Sequence, residues 1–230
     1  MNNLFEEAVV LNVDKRPGEF IRIYETLRGL GYDNPITQFI VGKGELLPQE
    51  RYSRIDEEHV SREWAAGQFA QLPNSYHAFR AYQTIVGQAA AKSVKSLLLL
   101  EDDCVFTDYA VDKAKRAGDL LDMLKINWDM LYLGANHTWS PTQEITQEIL
   151  KLNGSVCWHA VGLKHTVFDT ILSWSADRPI DLKAAQELHP QFNCYAVWPS
   201  VALQKPGYSS VEGKVRDYSE YWVNKGINHK

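Results

Sequence analysis

Cysteine is scarce in this 230-residue chain: Cys104, Cys157 and Cys194 are odd in number and far apart. No CxxC pair occurs, which excludes a disulfide framework and a zinc ribbon and makes a reducing compartment, the cytoplasm, the expected location. Long apolar runs are missing too, and none approaches the roughly 20 residues of a membrane span, so no transmembrane segment is expected. The opening MNNLFEEAVVLNVDKRP places acids before a short apolar run and has no small-residue cleavage site, unlike a signal peptide. Dense basic blocks are absent and the net charge is −5, which makes nucleic acid a poor partner. There is no internal repeat, low-complexity tract or linker, and residues 1–230 read as a single domain, whether by itself or as one domain of a larger protein. No GxGxxG follows the first strand, and neither HExxH nor GxSxG occurs. GYSSVEGKV (207–215) is not a Walker motif, having five residues between its glycines and Val215 after its lysine.

What is present is enough apolar residue, 45%, to fill a core. EAVVLNV (7–13), ITQFIVG (36–42), SLLLL (96–100), WDMLYLG (128–134), SVCWHAVGL (155–163) and FNCYAVW (192–198) read as strands. Between them FIRIYETLRGLG, a segment after Pro73 with Phe79, Tyr82, Ile85, Val86 and Ala89 on one face, AVDKAKRAGDLLDMLK and TVFDTILSW read as helices. Pro17 suits the first helical turn. Residues 43–67 look like a long functional loop, and the last thirty residues lack a periodic pattern. The alternation predicts an α/β fold, Rossmann-like, with a central mixed, mainly parallel sheet flanked by helices.

In LLLLEDDCVF (97–106) four leucines run into three acids. On a central strand the acids fall at its C-terminal end, the edge where open α/β sheets bind ligands. Strand alternation turns Glu101 and Asp103 to one side and Asp102 to the other. Two carboxylates on one side suit a hard divalent cation, Mg2+ or Mn2+, which completes its shell with water and phosphate oxygens. The plain alternative is a solvated acidic turn with Asp102 or Asp103 as a cap.

Several segments in order resemble the GT-A glycosyltransferases, and most closely the family-25 type that decorates lipopolysaccharide and other glycans. They are VVLNVDKRPGEFIRI, NSYHAFRAYQTIV, LLLLEDDCVF, WDMLYLGAN and WPSVALQKPGYSSVEGK. The resemblance implies a hexosyl- or deoxyhexosyltransferase with a UDP-, GDP- or dTDP-sugar donor and a glycan or glycoconjugate acceptor. Glu101-Asp102-Asp103 would be its DxD-like motif, with Asp103 as the main Mn2+ or Mg2+ ligand, Glu101 beside it at the metal or facing the donor sugar or ribose, and Asp102 on the donor side. Leu11, Asn12, Asp14 and Arg16 would meet the base and ribose; the alternative for Asp14 and Arg16 is a surface ion pair after the strand. Relatives carry Ser-Asp where this chain has Ser209-Ser210, which leaves Gln204, Lys205 and Ser209 beside the diphosphate and Lys205 and Lys214 as its cationic partners.

The family resemblance also implies inversion, which needs a general base. Asp181, in SADRPIDLKAAQEL, follows a proline turn and opens a short helix; as a helix cap it would have a purely structural role. Glu187 is the fallback. His137 and Trp139 lie just after a strand end and are expected at the acceptor, whereas His159, among apolar neighbours, reads as a hydrogen-bonded core residue. Two other function classes stay open: a non-catalytic nucleotide-sugar or glycan-binding module, and Mg2+-dependent phosphoryl transfer. The phosphatase pattern DxDx[TV] fails, since Glu101 stands at its nucleophile position.

Overall fold

The computed structural model describes residues 1–13, 16–41, 73–137, 141–209 and 214–219. Its strands are β1 (Glu7–Val13), β2 (Ile36–Val41), β3 (Ser96–Glu101), β4 (Cys104–Phe106), β5 (Met130–Tyr132), β6 (Gln143–Thr146), β7 (Ile149–Lys151), β8 (Ala160–Lys164), β9 (Cys194–Val197), β10 (Ala202–Gln204), β11 (Gly207–Ser209) and β12 (Lys214–Arg216). The helices are α1 (Pro17–Gly29), α2 (Pro73–Ala91), α3 (Ala110–Met123), α4 (Phe168–Ser173) and α5 (Ile180–Glu187).

Eight strands form one sheet in the order β2-β1-β3-β8-β5-β9-β7-β6. β1 pairs in parallel with β2 and β3, and β5 with β9, while β8 and β7 run against their neighbours. The sheet is therefore mixed: six strands point one way and two the other. This is the α/β class expected from the alternation of elements.

The leucine run shows how the sheet is filled. Leu97 and Leu99 enter the cluster under α2, α4 and α5, and Leu98 and Leu100 enter the cluster under α1 and α3. All four are wholly buried, so β3 is a central strand packed on both faces. Two glycines permit close approaches beside it. A side chain at Gly162 on β8 would strike the Phe5 ring at 2.2 Å, and one at Gly134 would strike the Ala202 carbonyl oxygen at 1.8 Å. Gly134 thus lets β10 settle against the end of β5.

Some expectations shift. The segment 155–163 is half turn: β8 begins only at Ala160, and Cys157 sits at φ 78°. The 128–134 strand is confined to 130–132, and Asp129 just before it accepts from Thr166 Oγ1 and Asn193 N. The hairpin β6–β7 was not expected, its outer strand being polar and exposed. The last thirty residues, expected to be patternless, include β10 and the hairpin β11–β12. The expected loop 43–67 lies outside the described residues. Among the described residues no helix is long and apolar enough to cross a membrane.

Candidate functional site

β3 ends at Glu101, whose amide donates to His159 O at 2.9 Å. Asp102 and Asp103 form a turn, and the chain returns as β4, paired antiparallel with β10 so that Cys104 faces Gln204. The separation of the acids that alternation predicted is made by this turn rather than by a continuing pleat.

Asp102 is turned inward and only 4% exposed. It accepts from Val13 N at 2.8 Å, Asn12 Nδ2 at 3.0 Å and an Arg16 guanidinium nitrogen at 3.1 Å. Asn12 also donates to Arg16 O and accepts from Gln38 Nε2. These contacts correct the donor-facing reading of Asp102 and Asn12: their polar atoms are consumed in fastening the β1 exit to the acidic turn. Leu11 is likewise a core side chain. Arg16 forms an ion pair, with Asp102 as partner. Asp14 and Trp139 lie outside the described residues, as does Ser210.

The turn is held from its other sides as well. One Arg22 nitrogen donates to the carbonyls of Asp102 and Cys104 at 3.0 and 2.8 Å, and Lys205 N donates to Asp103 O at 2.9 Å. The Lys205 side chain leans to Glu19 on α1 at 3.1 Å. Ser209 stands opposite Lys214 across β11–β12.

Glu101 and Asp103 have few compensating partners. Tyr82 on α2 donates to Glu101 Oε1 at 2.5 Å, and the Gln204 amide reaches Glu101 Oε2 and Asp103 Oδ2 only at 3.4 and 3.5 Å. Asp103 Oδ1 is buried without a hydrogen-bond partner. Burial, reinforced by the charge of Asp103, pushes Glu101 up to about 8, against the Tyr82 hydrogen bond. Burial and the Asp102 charge push Asp103 up to about 6, with Arg16 opposing.

Asp181 belongs to this site, for its charge raises Glu101 and the Tyr82 phenol. It lies in the first turn of α5, where Pro179 occupies the cap position, so it is not the N-cap. Its Oδ1 accepts from Leu182 N at 2.8 Å and its Oδ2 from Cys157 N at 3.0 Å. Burial raises its pKa while those amides oppose the rise. The start of α5 is fixed by Lys183, whose ammonium donates to Asp177 Oδ1 at 2.6 Å and Ser175 O at 2.9 Å. Glu187, at the far end of α5, stands 3.8 Å from the same ammonium.

His137 is wholly buried, pairs through Nδ1 with Ser155 Oγ at 2.7 Å and sets its ring edge-on to Trp198. This corrects its placement at the acceptor, because no part of the ring reaches the surface. Tyr82, Arg22 and Cys157 are the site neighbours that sequence reasoning missed. A tyrosine on an otherwise apolar helix face is a usable signal, since its buried hydroxyl needs a partner. For Cys157 the sequence holds no such signal. Among the described residues no group of three or more His, Cys, Asp and Glu is arranged to hold a metal ion. The donor set present, two half-buried carboxylates with one bare oxygen, fits an ion whose shell is completed by phosphate oxygens and water.

No family model matches the chain, and no curated protein matches it. Among solved structures, a glycosyltransferase involved in the glycosylation of the major capsid of PBCV-1 aligns at 14% identity over 79% of this chain and 75% of its own, with a TM-score of 0.38. An apo UDP-glucose pyrophosphorylase aligns at 9% identity over 84% and 72%, with a TM-score of 0.42. A197 from STIV aligns at 10% identity over 83% and 81%, with a TM-score of 0.41.

Proposed function

We propose that the chain is a metal-dependent glycosyltransferase of the family-25 type, moving a hexosyl or deoxyhexosyl unit from a nucleoside diphosphate sugar to a glycan hydroxyl with inversion. The observation that carries this reading is the convergence of Glu101, Asp103 and Asp181 at the C-terminal end of a central strand. Burial and the charges of Asp103 and Asp181 raise Glu101 there, and a fold keeps such an arrangement where a cationic partner or a proton transfer makes use of it. The sequence resemblance supplies the choice of sugar transfer.

In this reading Asp103 and Glu101 would be the residues that hold Mn2+ or Mg2+. The bound ion would offset negative charge on the departing nucleoside diphosphate. Asp103 presents its bare Oδ1, while Tyr82 fixes Glu101 through the other end of that carboxylate. Arg16 and Arg22 hold the turn rigid, and Lys205 is the cation that can exchange Glu19 for a phosphate oxygen. Asp181 receives the proton of the acceptor hydroxyl. Its raised pKa brings it closer to that task than an ordinary aspartate.

Calorimetric titration with UDP-, GDP- and dTDP-sugars, with and without Mn2+, tests the proposal. Binding should require the ion and vanish in Asp103→Ala, and release of nucleoside diphosphate with an acceptor present should separate a catalyst from a binding module. Nucleotide binding indifferent to both the ion and Asp103 overturns it. Release of inorganic phosphate or pyrophosphate would point instead to phosphoryl transfer.

A further inference from the structure

The turn joining β7 to β8 is pinned at almost every residue. Gly154 N donates to His189 Nδ1 at 2.9 Å, and Ser155 Oγ pairs with His137 at 2.7 Å. Val156 exchanges both backbone bonds with Asn136, at 2.9 and 3.0 Å. Trp158 Nε1 donates to the Tyr132 hydroxyl at 3.0 Å, and its ring meets Tyr82 edge-on at 5.4 Å. Between these anchors Cys157 is forced to φ 78°, a left-handed conformation that glycine takes freely and a cysteine does not. A non-glycine residue stays there only when its surroundings over-determine it, and such residues cluster at functional sites. The forced conformation delivers the Cys157 amide to Asp181 Oδ2 at 3.0 Å.

We propose that the left-handed backbone at Cys157 is the positioning element of Asp181: its N–H aims the carboxylate into the site, and its thiol has no part in the chemistry. The catalytic meaning of this role rests on the reading of Asp181 as the base; the positioning itself does not. With Leu182 N on one oxygen and Cys157 N on the other, the carboxylate plane is fixed by amides from two separate elements. The titratable groups that face the turn are Glu101, Asp103 and Asp181, the hydroxyls of Tyr82 and Tyr132, and the histidines His137 and His189. The thiol lies among the three carboxylates, whose charges, after burial, hold it protonated.

The test follows the Asp181 carboxyl by 13C NMR across a pH titration, assigned with Asp181→Asn, in the wild type, Cys157→Gly and Cys157→Val. Glycine keeps the amide and the conformation, so its midpoint should match the wild type within about 0.3 pH unit. Valine, branched at Cβ, does not tolerate positive φ; the amide swings away and the midpoint should rise by about 1 pH unit or more. Equal midpoints in all three chains, or a shift in the glycine variant as large as in the valine one, overturn the proposal. Exchange of the Cys157 amide proton, followed in the wild type and in Asp181→Ala, decides the matter if the valine chain fails to fold. It should quicken about 10-fold without the carboxylate, and an unchanged rate overturns the proposal. Sugar transfer that survives Asp181→Asn would remove the base reading while leaving these carboxyl measurements standing.

Discussion

Replacing Glu101 by glutamine should make the protein more stable at alkaline pH. Burial and the charge of Asp103 hold the Glu101 carboxyl at about 8 in the folded chain, against 4.5 for a free glutamate. Between those values the unfolded chain has released a proton that the folded chain keeps, so stability falls as pH rises and levels off above about 8. Each pH unit of that window removes about 1.4 kcal/mol, and the stretch from about pH 6.5 to pH 8 removes about 2 kcal/mol. Glutamine is nearly isosteric, keeps an oxygen for Tyr82 and cannot ionise, so the alkaline decline should be missing from the variant. The gap between the two chains should widen by about 2 kcal/mol between about pH 6.5 and pH 9. For a chain of this size that corresponds to roughly 4–8 °C in Tm. Urea denaturation in metal-free buffer at several pH values reads it directly. Parallel stability curves for the two chains would show that Glu101 ionises without penalty and would remove the electrostatic basis of the site.

At the acid end the sign reverses. Burial depresses His137, His159 and His189 to about 4 in the folded chain, from 6.5, so stability should decline as pH falls through that interval, and Tm measured from about pH 7 to pH 4 should drop. A Tm that holds level across this range would mean the three rings are solvated. Gly134→Ala should be among the most damaging single-methyl additions, at about 3 kcal/mol or more, because the new carbon would lie 1.8 Å from the Ala202 carbonyl oxygen. Near-wild-type urea unfolding of that variant would show that β10 can yield. Asp102→Ala strips three donors of a buried acceptor and should cost about 3 kcal/mol by the same assay, far more than truncating an exposed acid. A loss under about 0.5 kcal/mol would mean that the turn is not fastened through Asp102.

The class of fold was legible because it follows from local periodicity. The run LLLL can alternate into two cores only if β3 is central, and the acids then fall at a sheet edge whatever the remaining topology. What could not be read locally depends on partners distant in the chain. SVCWHAVGL looks like one strand because Val156, Trp158 and Ala160 alternate with Cys157 and His159. Its first half is bent into a turn by Asn136, His137, Tyr132 and His189, none of them within fifteen residues of Cys157. Asp102 shows the same limit in the opposite sense. Three neighbouring acids look interchangeable in sequence, yet the one in the middle is drawn inward by donors about ninety positions earlier, and this leaves Glu101 and Asp103 under-compensated. The site's charge is therefore divided by tertiary pairing: Asp102 serves to hold the turn, and the energy stored in the other two acids is what a ligand can release. A chain in which all three acids were satisfied internally would be more stable and would leave no under-compensated carboxylate at this edge of the sheet.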